Sequence, residues 1–238
     1  MDSEERKLKD AEAWFDKGEG TKMAGRYKSF AGQHEEGIEL YEKALNCFDK
    51  ALEINPNYSE ALRGKGEVLM FLGKYDESLK CLDKSLEIDP NNAKAWYNKG
   101  LVLIMFHKLE ESLKYFNEAI RIDPEHIYWW RNKSAVLLDL ERFDEAIICL
   151  DKVIEKLPNE IEAWRDKGEA LVKLNKCEEA LNCLNKAIKI DPNDAGLWFW
   201  KACALQGLGK NNESMNYFVK AIQIDPNYAK YVAKYIAK

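Results

Sequence analysis

Apolar residues along the chain recur at helical spacing in pairs of short segments, and a polar break of two residues separates the members of each pair. From Ser59 onward each segment has the i, i+3, i+4, i+7 pattern of an amphipathic helix. The second segment of each pair ends before a proline, because the residue preceding proline is pushed out of the α region. The pattern predicts helices at about Ser59–Phe71 and Tyr75–Ile88, and the same pair every 34 residues.

All six prolines obey that spacing, which is the signature of a repeat array. They are Pro56, Pro90, Pro124, Pro158, Pro192 and Pro226. Five regular repeats follow from it: 59–92, 93–126, 127–160, 161–194 and 195–228. Each helix pair can bury its apolar face only against its neighbours. The sequence therefore predicts an all-α fold, a right-handed α-solenoid of antiparallel helix pairs.

The first part of the chain, 1–58, is an altered repeat. The segment AWFDKG at Ala13–Gly18 matches AWYNKG at Ala95–Gly100, but Trp14 lies 42 residues before its proline and Trp96 only 28, so 14 residues are extra. Fourteen residues make nearly four helical turns, so they lengthen a helix without rotating its apolar face. We expect one long or kinked first helix, in which Met23, Tyr27 and Phe30 keep helical spacing. The alternative is a separate N-terminal helix followed by a repeat that begins near Gly25.

Two columns of residues predict how the helices of a pair approach each other. The eighth position of the regular repeats is small, and the twenty-fourth is large. The small residues are Gly66, Gly100, Ser134, Gly168 and Ala202, and the large ones are Leu82, Phe116, Leu150, Leu184 and Phe218. Small residues facing large ones give interdigitated packing.

The combined pattern of Trp, Gly, a small residue, an aromatic residue, Ala and Pro over 34 residues resembles the tetratricopeptide repeat (TPR) family. The resemblance covers nearly the whole chain, in five regular copies and one altered copy. The recurring Lys-Gly and Asp-Pro-Asn segments are similar to those of archaeal TPR proteins, those of methanogens in particular. Residues 229–238 are too short for a repeat, and their apolar face predicts a C-terminal capping helix.

The seventh position departs from the family pattern, because it holds lysine where the family usually has leucine. The column consists of Lys65, Lys99, Lys133, Lys167 and Lys201. Each lysine could pack its stem and reach an acid of the same period, such as Asp89, Asp123, Asp191 or Asp225. The column could alternatively form an anion-binding ridge.

Composition and charge narrow the class of function. A net charge of −5 and a pI of about 5.5 disfavour nucleic acid or an anionic membrane as the main partner. The opening residues are charged rather than apolar, so a cytoplasmic location is expected. No nucleotide loop, metal-ligand spacing or catalytic set is present, so we expect no cofactor, no metal and no enzymatic activity. The four cysteines that share one repeat position are too far apart for disulfides, and all six are expected to be reduced.

The resemblance implies that the first helix of each repeat lines a concave groove where a ligand binds. Helical periodicity then identifies the side chains that face this groove. The predicted groove residues are Arg63, Lys94, Tyr97, Asn98, Leu101, Met105, Tyr128, Arg131, Asn132, Arg165, Phe199 and Trp200. The Lys and Asn pair with which some family members hold a chaperone's C-terminal carboxylate is incomplete here, so that ligand is not expected.

The resulting hypothesis is a non-enzymatic scaffold that binds a protein or peptide ligand, with no nucleic acid and no membrane involved. Asn98 and Asn132 hold the same position in consecutive repeats and could grip a peptide backbone, since an amide both donates and accepts hydrogen bonds. Self-association is the alternative, with the groove or one end of the solenoid occupied by another copy in a homo-oligomer.

Overall fold

The structure, a computed structural model, describes residues 3–236. Residues 1–2 of the predicted N-terminal repeat and residues 237–238 of the predicted capping helix lie outside this range. Within it the chain forms thirteen helices and no strand. The predicted all-α solenoid of helix pairs is confirmed, because each first helix packs against the second helix of its own pair and against the helix that precedes it within the same unit.

The helices form two compact units, one ending at Glu125 and the other beginning at His126. Unit 1 contains α1 (Ser3–Phe30), α2 (His34–Ile54), α3 (Ser59–Phe71), α4 (Tyr75–Ile88), α5 (Ala93–Met105) and α6 (Leu109–Ile122). Unit 2 contains α7 (Ile127–Asp139), α8 (Phe143–Lys156), α9 (Ile161–Lys173), α10 (Cys177–Ile190), α11 (Ala195–Gly207), α12 (Asn211–Ile224) and α13 (Tyr228–Ile236). The bounds of α3 and α4 coincide with those that the apolar pattern predicts, and later pairs repeat them.

The altered first repeat is a single lengthened hairpin. Helix α1 is one helix of 28 residues. Helix α2 has 21 residues where α4 has 14, a difference of 7. On the α1 side, Ala11 aligns with the start of α5, and Ala11–Phe30 is 20 residues where α5 has 13, again a difference of 7. The 14 extra residues are thus divided equally, and each helix gains two turns, about 10 Å.

The small and large columns meet inside each helix pair as predicted. A Cβ added at Gly100 would lie 2.6 Å from the Phe116 ring, and one added at Gly168 would lie 2.7 Å from Leu184. Gly18 has the same relation to Phe48 in the lengthened hairpin, at 2.7 Å. These glycines therefore serve packing, and this is why α1 tolerates Gly18 in its middle without breaking.

The tryptophan and the proline of the repeat motif are linked by a hydrogen bond. The indole Nε1 of Trp96 donates to the Pro90 carbonyl at 2.8 Å. Trp164 donates in the same way to Pro158, and Trp198 to Pro192, at 2.8 and 2.7 Å. The bond ties the start of each first helix to the loop before it, so the two residues recur together.

The turn inside each helix pair requires one residue in the left-handed region. Gly73 and Gly209 adopt φ of +72° and +74° there. Three other turns use non-glycine residues at the same position, His107, Glu141 and Asn175, with φ between 56° and 58°. A residue with a side chain is strained in this region, so a glycine at any of these three positions would relieve backbone strain.

The chain's last described helix caps the core of unit 2. Helix α13 packs on α11 and α12, and its Val232 is buried at 6% exposure beside Phe199 and Phe218. It begins at Tyr228, one residue before the predicted range, and its described part ends at Ile236.

Candidate functional site

The predicted groove residues fall into two sets, one in each unit. Arg63, Lys94, Tyr97, Asn98, Leu101 and Met105 lie on α3 and α5 of unit 1. Tyr128, Arg131, Asn132, Arg165, Phe199 and Trp200 lie on α7, α9 and α11 of unit 2.

Arg63 is not the exposed cation that the helical pattern suggests, because its side chain is only 4% exposed. Its guanidinium donates to Glu60 at 2.7 Å, to Glu67 at 2.9 Å and to Glu19 of α1 at 3.2 Å. Lys22 of α1, equally buried, donates to Glu19 at 2.8 Å and to Glu67 at 2.6 Å. The lengthened α1 thus supplies partners that hold Arg63 inside the protein.

The charges in this network stabilise one another. Burial pushes the pKa of Glu19 up, but the charge of Arg63 and a hydrogen bond from Lys22 outweigh it, so that pKa is lowered. Burial pushes the pKa of Arg63 down, and Glu19, Glu60 and Glu67 reverse the shift, so that pKa is raised. Both groups are charged at neutral pH, and the network joins α1 to α3.

The rest of the unit 1 set is partly closed to solvent. Asn98 is buried at 5% exposure, and its Nδ2 has no hydrogen-bond partner among the described residues. Tyr97 is half-buried with its ring 5.6 Å from that of Phe116. Lys94 is exposed, Leu101 is half-buried and Met105 is 52% exposed. Asn98 is therefore a core residue at the edge of this surface, because α3 and α5 pack closely around it.

In unit 2 the two predicted arginines already have acidic partners. Arg131 lies 2.9 Å from Glu160, and Arg165 lies 2.9 Å from Asp194. Glu160 and Asp194 are the residues that precede α9 and α11, and Asp194 also accepts hydrogen bonds from the first backbone N–H groups of α11. Each arginine thus joins its first helix to the start of the next one, and Tyr128 remains 59% exposed beside them.

Two partly buried carboxylates on α9, Asp166 and Glu169, are not among the residues predicted from the sequence. Burial raises the pKa of Asp166, although Arg165 nearby opposes the shift. Burial also raises the pKa of Glu169, and the negative charges of Asp166 and Asp139 act in the same direction as burial. No ion pair within 4 Å holds Glu169 in the part of the chain that the structure describes. The surface of α9 therefore favours a cation.

A cleft of about 230 Å³ opens beside Glu169. Aromatic rings of α11 and the capping helix α13 form most of its walls. Its lining consists of Glu169, Lys173, Phe199, Trp200, Tyr231, Lys234 and Tyr235. Phe199 is buried at 7% exposure, whereas Trp200 is half-buried and has the Lys173 ammonium 5.6 Å above its ring. Tyr231 and Tyr235 were expected only to cover the core, because their i, i+4 spacing is that of a packing face.

The twelve predicted residues therefore differ from one another in burial and in ion pairing, unlike the residues of one uniformly exposed groove. Arg63, Asn98 and Phe199 are buried, and Arg63, Arg131 and Arg165 are held by carboxylates of the chain itself. Trp200 and Phe199 share the cleft. Helical periodicity selects one face of each first helix, but it could not report the ion pairs contributed by other helices.

Three of the five lysines at the seventh position pair with acids, but not with those that the sequence suggested, and a fourth, Lys201, donates to Asn185 instead. The Lys65 ammonium lies 2.6 Å from the Asp49 carboxylate. The Lys99 ammonium lies 2.5 Å from Asp83, and the Lys167 ammonium lies 2.5 Å from Asp151. Each acid lies 16 residues earlier, on the second helix of the preceding pair, rather than beside a proline. These acids are nearer to the lysines than the acids beside the prolines, because each lysine faces the second helix of the preceding pair.

A second cleft, of about 700 Å³, lies between α1 and α2, away from every predicted residue. Its lining is mainly charged, and its one aromatic ring, Trp14, already has Lys50 at 4.2 Å and Lys17 at 5.0 Å from its centre. This cleft offers few apolar anchors, so the smaller aromatic cleft is the better candidate site.

Among residues 3–236, no group of three His, Cys, Asp or Glu side chains is arranged to hold a metal ion. None of the helices in that range combines the length and apolar character needed to cross a membrane.

Comparisons with known proteins agree with the repeat architecture. Sequence models described as "Tetratricopeptide repeat" match residues 22–91, 57–125 and 195–228, and one described as "TPR repeat" matches residues 168–209. No curated protein matches the chain.

Solved structures of the same architecture are numerous. The structure described as "YrrB: a TPR protein with an unusual peptide-binding site" is 26% identical, with a TM-score of 0.72, over 79% of this chain and 97% of that one. MamA from Desulfovibrio magneticus RS-1 is 18% identical, with a TM-score of 0.65, over 71% of this chain and 96% of that one. The MamA likeness concerns the fold alone.

Proposed function

Because the chain belongs to the tetratricopeptide repeat family, whose members are protein-interaction scaffolds, we propose that it binds a peptide segment of a partner protein. The peptide lies on the first-helix surface of unit 2, formed by α9 and α11 with the edge of α13. That surface corresponds to the groove side of the repeats in the family resemblance. YrrB, at 26% identity, is described as having a peptide-binding site, which supports a peptide as the ligand.

The observation that carries the proposal is the aromatic cleft at Trp200. Its volume of about 230 Å³ is below the roughly 300–1,000 Å³ of small-molecule pockets. The cleft therefore suits one apolar side chain of a peptide rather than a whole metabolite. Aromatic walls offer a large contact area at low entropic cost, which is why tryptophan and tyrosine dominate binding hot spots.

The charges beside the cleft define the neighbouring residue of the ligand. Asp166 and Glu169 are desolvated carboxylates with raised pKa values, and Asp139 adds negative charge on the α7 side. Lys173 and Lys234 line the cleft itself together with Glu169. A lysine or arginine of the peptide fits the α7 side, where it would relieve carboxylate repulsion, and an aromatic or long aliphatic residue fits the cleft.

Selection from a library of random peptides displayed on phage tests this proposal. The enriched peptides should share an aromatic or long aliphatic residue next to a basic one. Measured by calorimetric titration, Trp200→Ala should weaken the selected peptide at least about 30-fold, the loss expected for a hot-spot residue. Glu169→Gln should weaken it several-fold.

Ile148→Ala provides the matched control. Ile148 lies on α8, a second helix, and is 62% exposed, so its truncation removes an apolar surface side chain away from the proposed site. The affinity of the Ile148→Ala variant for the selected peptide should equal that of the wild type. Equal affinity of the wild type and Trp200→Ala would mean that the peptides bind elsewhere and that the proposed site is wrong.

A further inference from the structure

Helices α3 and α5 each bury one face against the preceding helix pair. In α1, no described helix covers the equivalent face. In α3 and α5 the third and tenth positions of the repeat, Ala61 and Val68 in α3, are 0% exposed, and their α5 counterparts are equally buried. They pack into clusters with residues of α2 and of α4. The corresponding residues of α1 are Ala13 and Gly20, and both are exposed.

Large apolar side chains extend the same face into the lengthened part of α1. Met23 is 66% exposed, Tyr27 is 73% exposed and Phe30 is 86% exposed. Their i, i+4, i+7 spacing makes them neighbours on one side of the helix. The sequence pattern suggested that these residues continue a packed face, but no described helix covers them. We name Ala13, Gly20, Met23, Tyr27 and Phe30 the α1 outer face.

Gly20 is the second observation that points to a helix partner. Gly18 and Gly25 are required internally, since a Cβ at either would lie within 2.9 Å of an aromatic ring. A Cβ at Gly20 would meet nothing within 4 Å, and the residue is helical. A glycine in a helix interior costs about 1 kcal/mol relative to alanine. No contact with residues 3–236 explains this cost, whereas close approach of another helix would.

The distribution of charge along α1 identifies the occupant as another α1. The half before Lys17 contains five acidic and three basic side chains: Glu4, Glu5, Asp10, Glu12 and Asp16 against Arg6, Lys7 and Lys9. The half from Lys17 onward contains one acidic and four basic side chains: Glu19 against Lys17, Lys22, Arg26 and Lys28. With Gly20 at the axis, antiparallel copies of α1 set residues 10–16 of one copy opposite residues 24–30 of the other. The first stretch carries Asp10, Glu12 and Asp16 and no basic residue, whereas the second carries Arg26 and Lys28 and no acidic residue, so the facing stretches are opposite in charge.

We propose that the protein forms a two-fold symmetric dimer in which α1 pairs antiparallel with α1 of a second copy, with Gly20 at the axis. In this register Ala13 faces Tyr27 of the partner subunit, so a small residue meets a large one. Gly20 faces its own counterpart, where the absence of a side chain allows close contact. The contact is isologous, the commonest kind in soluble homo-oligomers.

Head-to-tail contact with α13 of a second copy fits this face less well. The described part of α13 carries Lys230 and Lys234 and no acidic residue. Against the α1 half that begins at Lys17, which is itself basic, these lysines would add repulsion. The charge pattern therefore favours α1 as the partner of α1.

Sedimentation equilibrium and disulfide trapping test the proposal together. The wild type should sediment as a dimer, and Tyr27→Lys and Phe30→Glu should shift it to a monomer without changing the helical circular dichroism signal. Ile148→Lys, a charge placed on the exposed apolar residue of α8, should leave the dimer unchanged. A monomeric wild type at high micromolar concentration overturns the proposal, and so does a dimer that Tyr27→Lys and Phe30→Glu leave intact.

Disulfide trapping reports the axis itself. Gly20→Cys should cross-link to its counterpart under mild oxidation, because residues on the axis lie within disulfide reach. Ala24→Cys is the matched control on the same helix: four residues off the axis, its two copies are about 12 Å apart along the helices and should not cross-link. Cross-linking of Ala24→Cys but not of Gly20→Cys would contradict the proposed register.

Discussion

Arg63 tests whether the buried ion network, rather than a ligand, explains a charged residue on the first-helix surface. The substitution is Arg63→Ala. It removes the three hydrogen bonds, of 2.7 to 3.2 Å, that Arg63 donates to Glu60, Glu67 and Glu19. Glu19 and Glu67 keep their hydrogen bonds from Lys22, whereas Glu60 loses its cation. Removing one partner of a buried ion pair costs about 3–5 kcal/mol, since the remaining charges stay desolvated. We expect the free energy of unfolding to fall by that amount.

Arg131→Ala is the matched control, because Arg131 holds the same repeat position but its side chain is 40% exposed. Its pair with Glu160 is partly in water, so its removal should cost less than about 1 kcal/mol. Urea denaturation followed by circular dichroism at neutral pH measures both values. Equal, small losses for the two variants would refute the view that Arg63 is a structural residue.

Acidification adds an independent check on the same network. The folded-state pKa of Glu19 lies below its ordinary value of 4.5, so the stability that its ionised form contributes is present above that value. It is lost as the pH falls through the lowered pKa. The stability gap between the wild type and Arg63→Ala should therefore be full at neutral pH and should narrow below about pH 4.5. A gap that is constant down to acid pH would contradict this electrostatic origin.

Three further predictions concern the turn strain, the buried amide and the candidate site. Glu141→Gly should raise the free energy of unfolding by about 0.5–1 kcal/mol, because glycine relieves the strain of φ +57°; a loss of stability in urea denaturation would refute this. Asn98→Leu should leave urea stability within about 1 kcal/mol of the wild type, because it removes a buried Nδ2 without a partner; a loss of several kcal/mol would show that the amide is satisfied. The affinity of a basic peptide should fall as the pH is lowered through the raised pKa of Glu169, because the protonated carboxyl no longer attracts the ligand's cation. Asp139, Asp166, Arg165 and Lys173 also act on this carboxyl, so Glu169→Gln is needed to show that most of the pH dependence belongs to it.

The repeated elements were predictable in detail because several copies report the same constraint. The bounds of α3 and α4 followed from the apolar spacing and from the proline that ends each second helix. The glycine-to-aromatic contacts, such as Gly100 on Phe116, followed from aligned columns of small and large residues. In the first repeat, the sequence left a separate N-terminal helix open as an alternative, and the contact of Gly18 with Phe48 shows how one long helix accommodates a glycine in its middle.

Features that depend on the first helix or on the capping helix, each of which occurs once, were not predictable from the repeat pattern. Arg63 is buried because the lengthened α1 supplies Glu19, a residue outside the regular repeats. Phe199 is buried because the capping helix covers it, and the same helix supplies two walls of the cleft. The acidic partners of the lysine column were misplaced because periodicity fixes which residues recur, but not which of several recurring acids lies nearest in space.

Fluorine NMR of the protein labelled with 5-fluorotryptophan tests the proposed peptide site most directly. The chain has seven tryptophans, and the resonance of Trp200 is identified by its absence in Trp200→Phe. Titration with a selected peptide should shift the Trp200 resonance first and most strongly, and leave that of Trp14 beside the larger cleft unchanged. A peptide that binds and shifts Trp14 or another tryptophan, while Trp200 stays in place, would contradict the assignment of the ligand site to the aromatic cleft of unit 2.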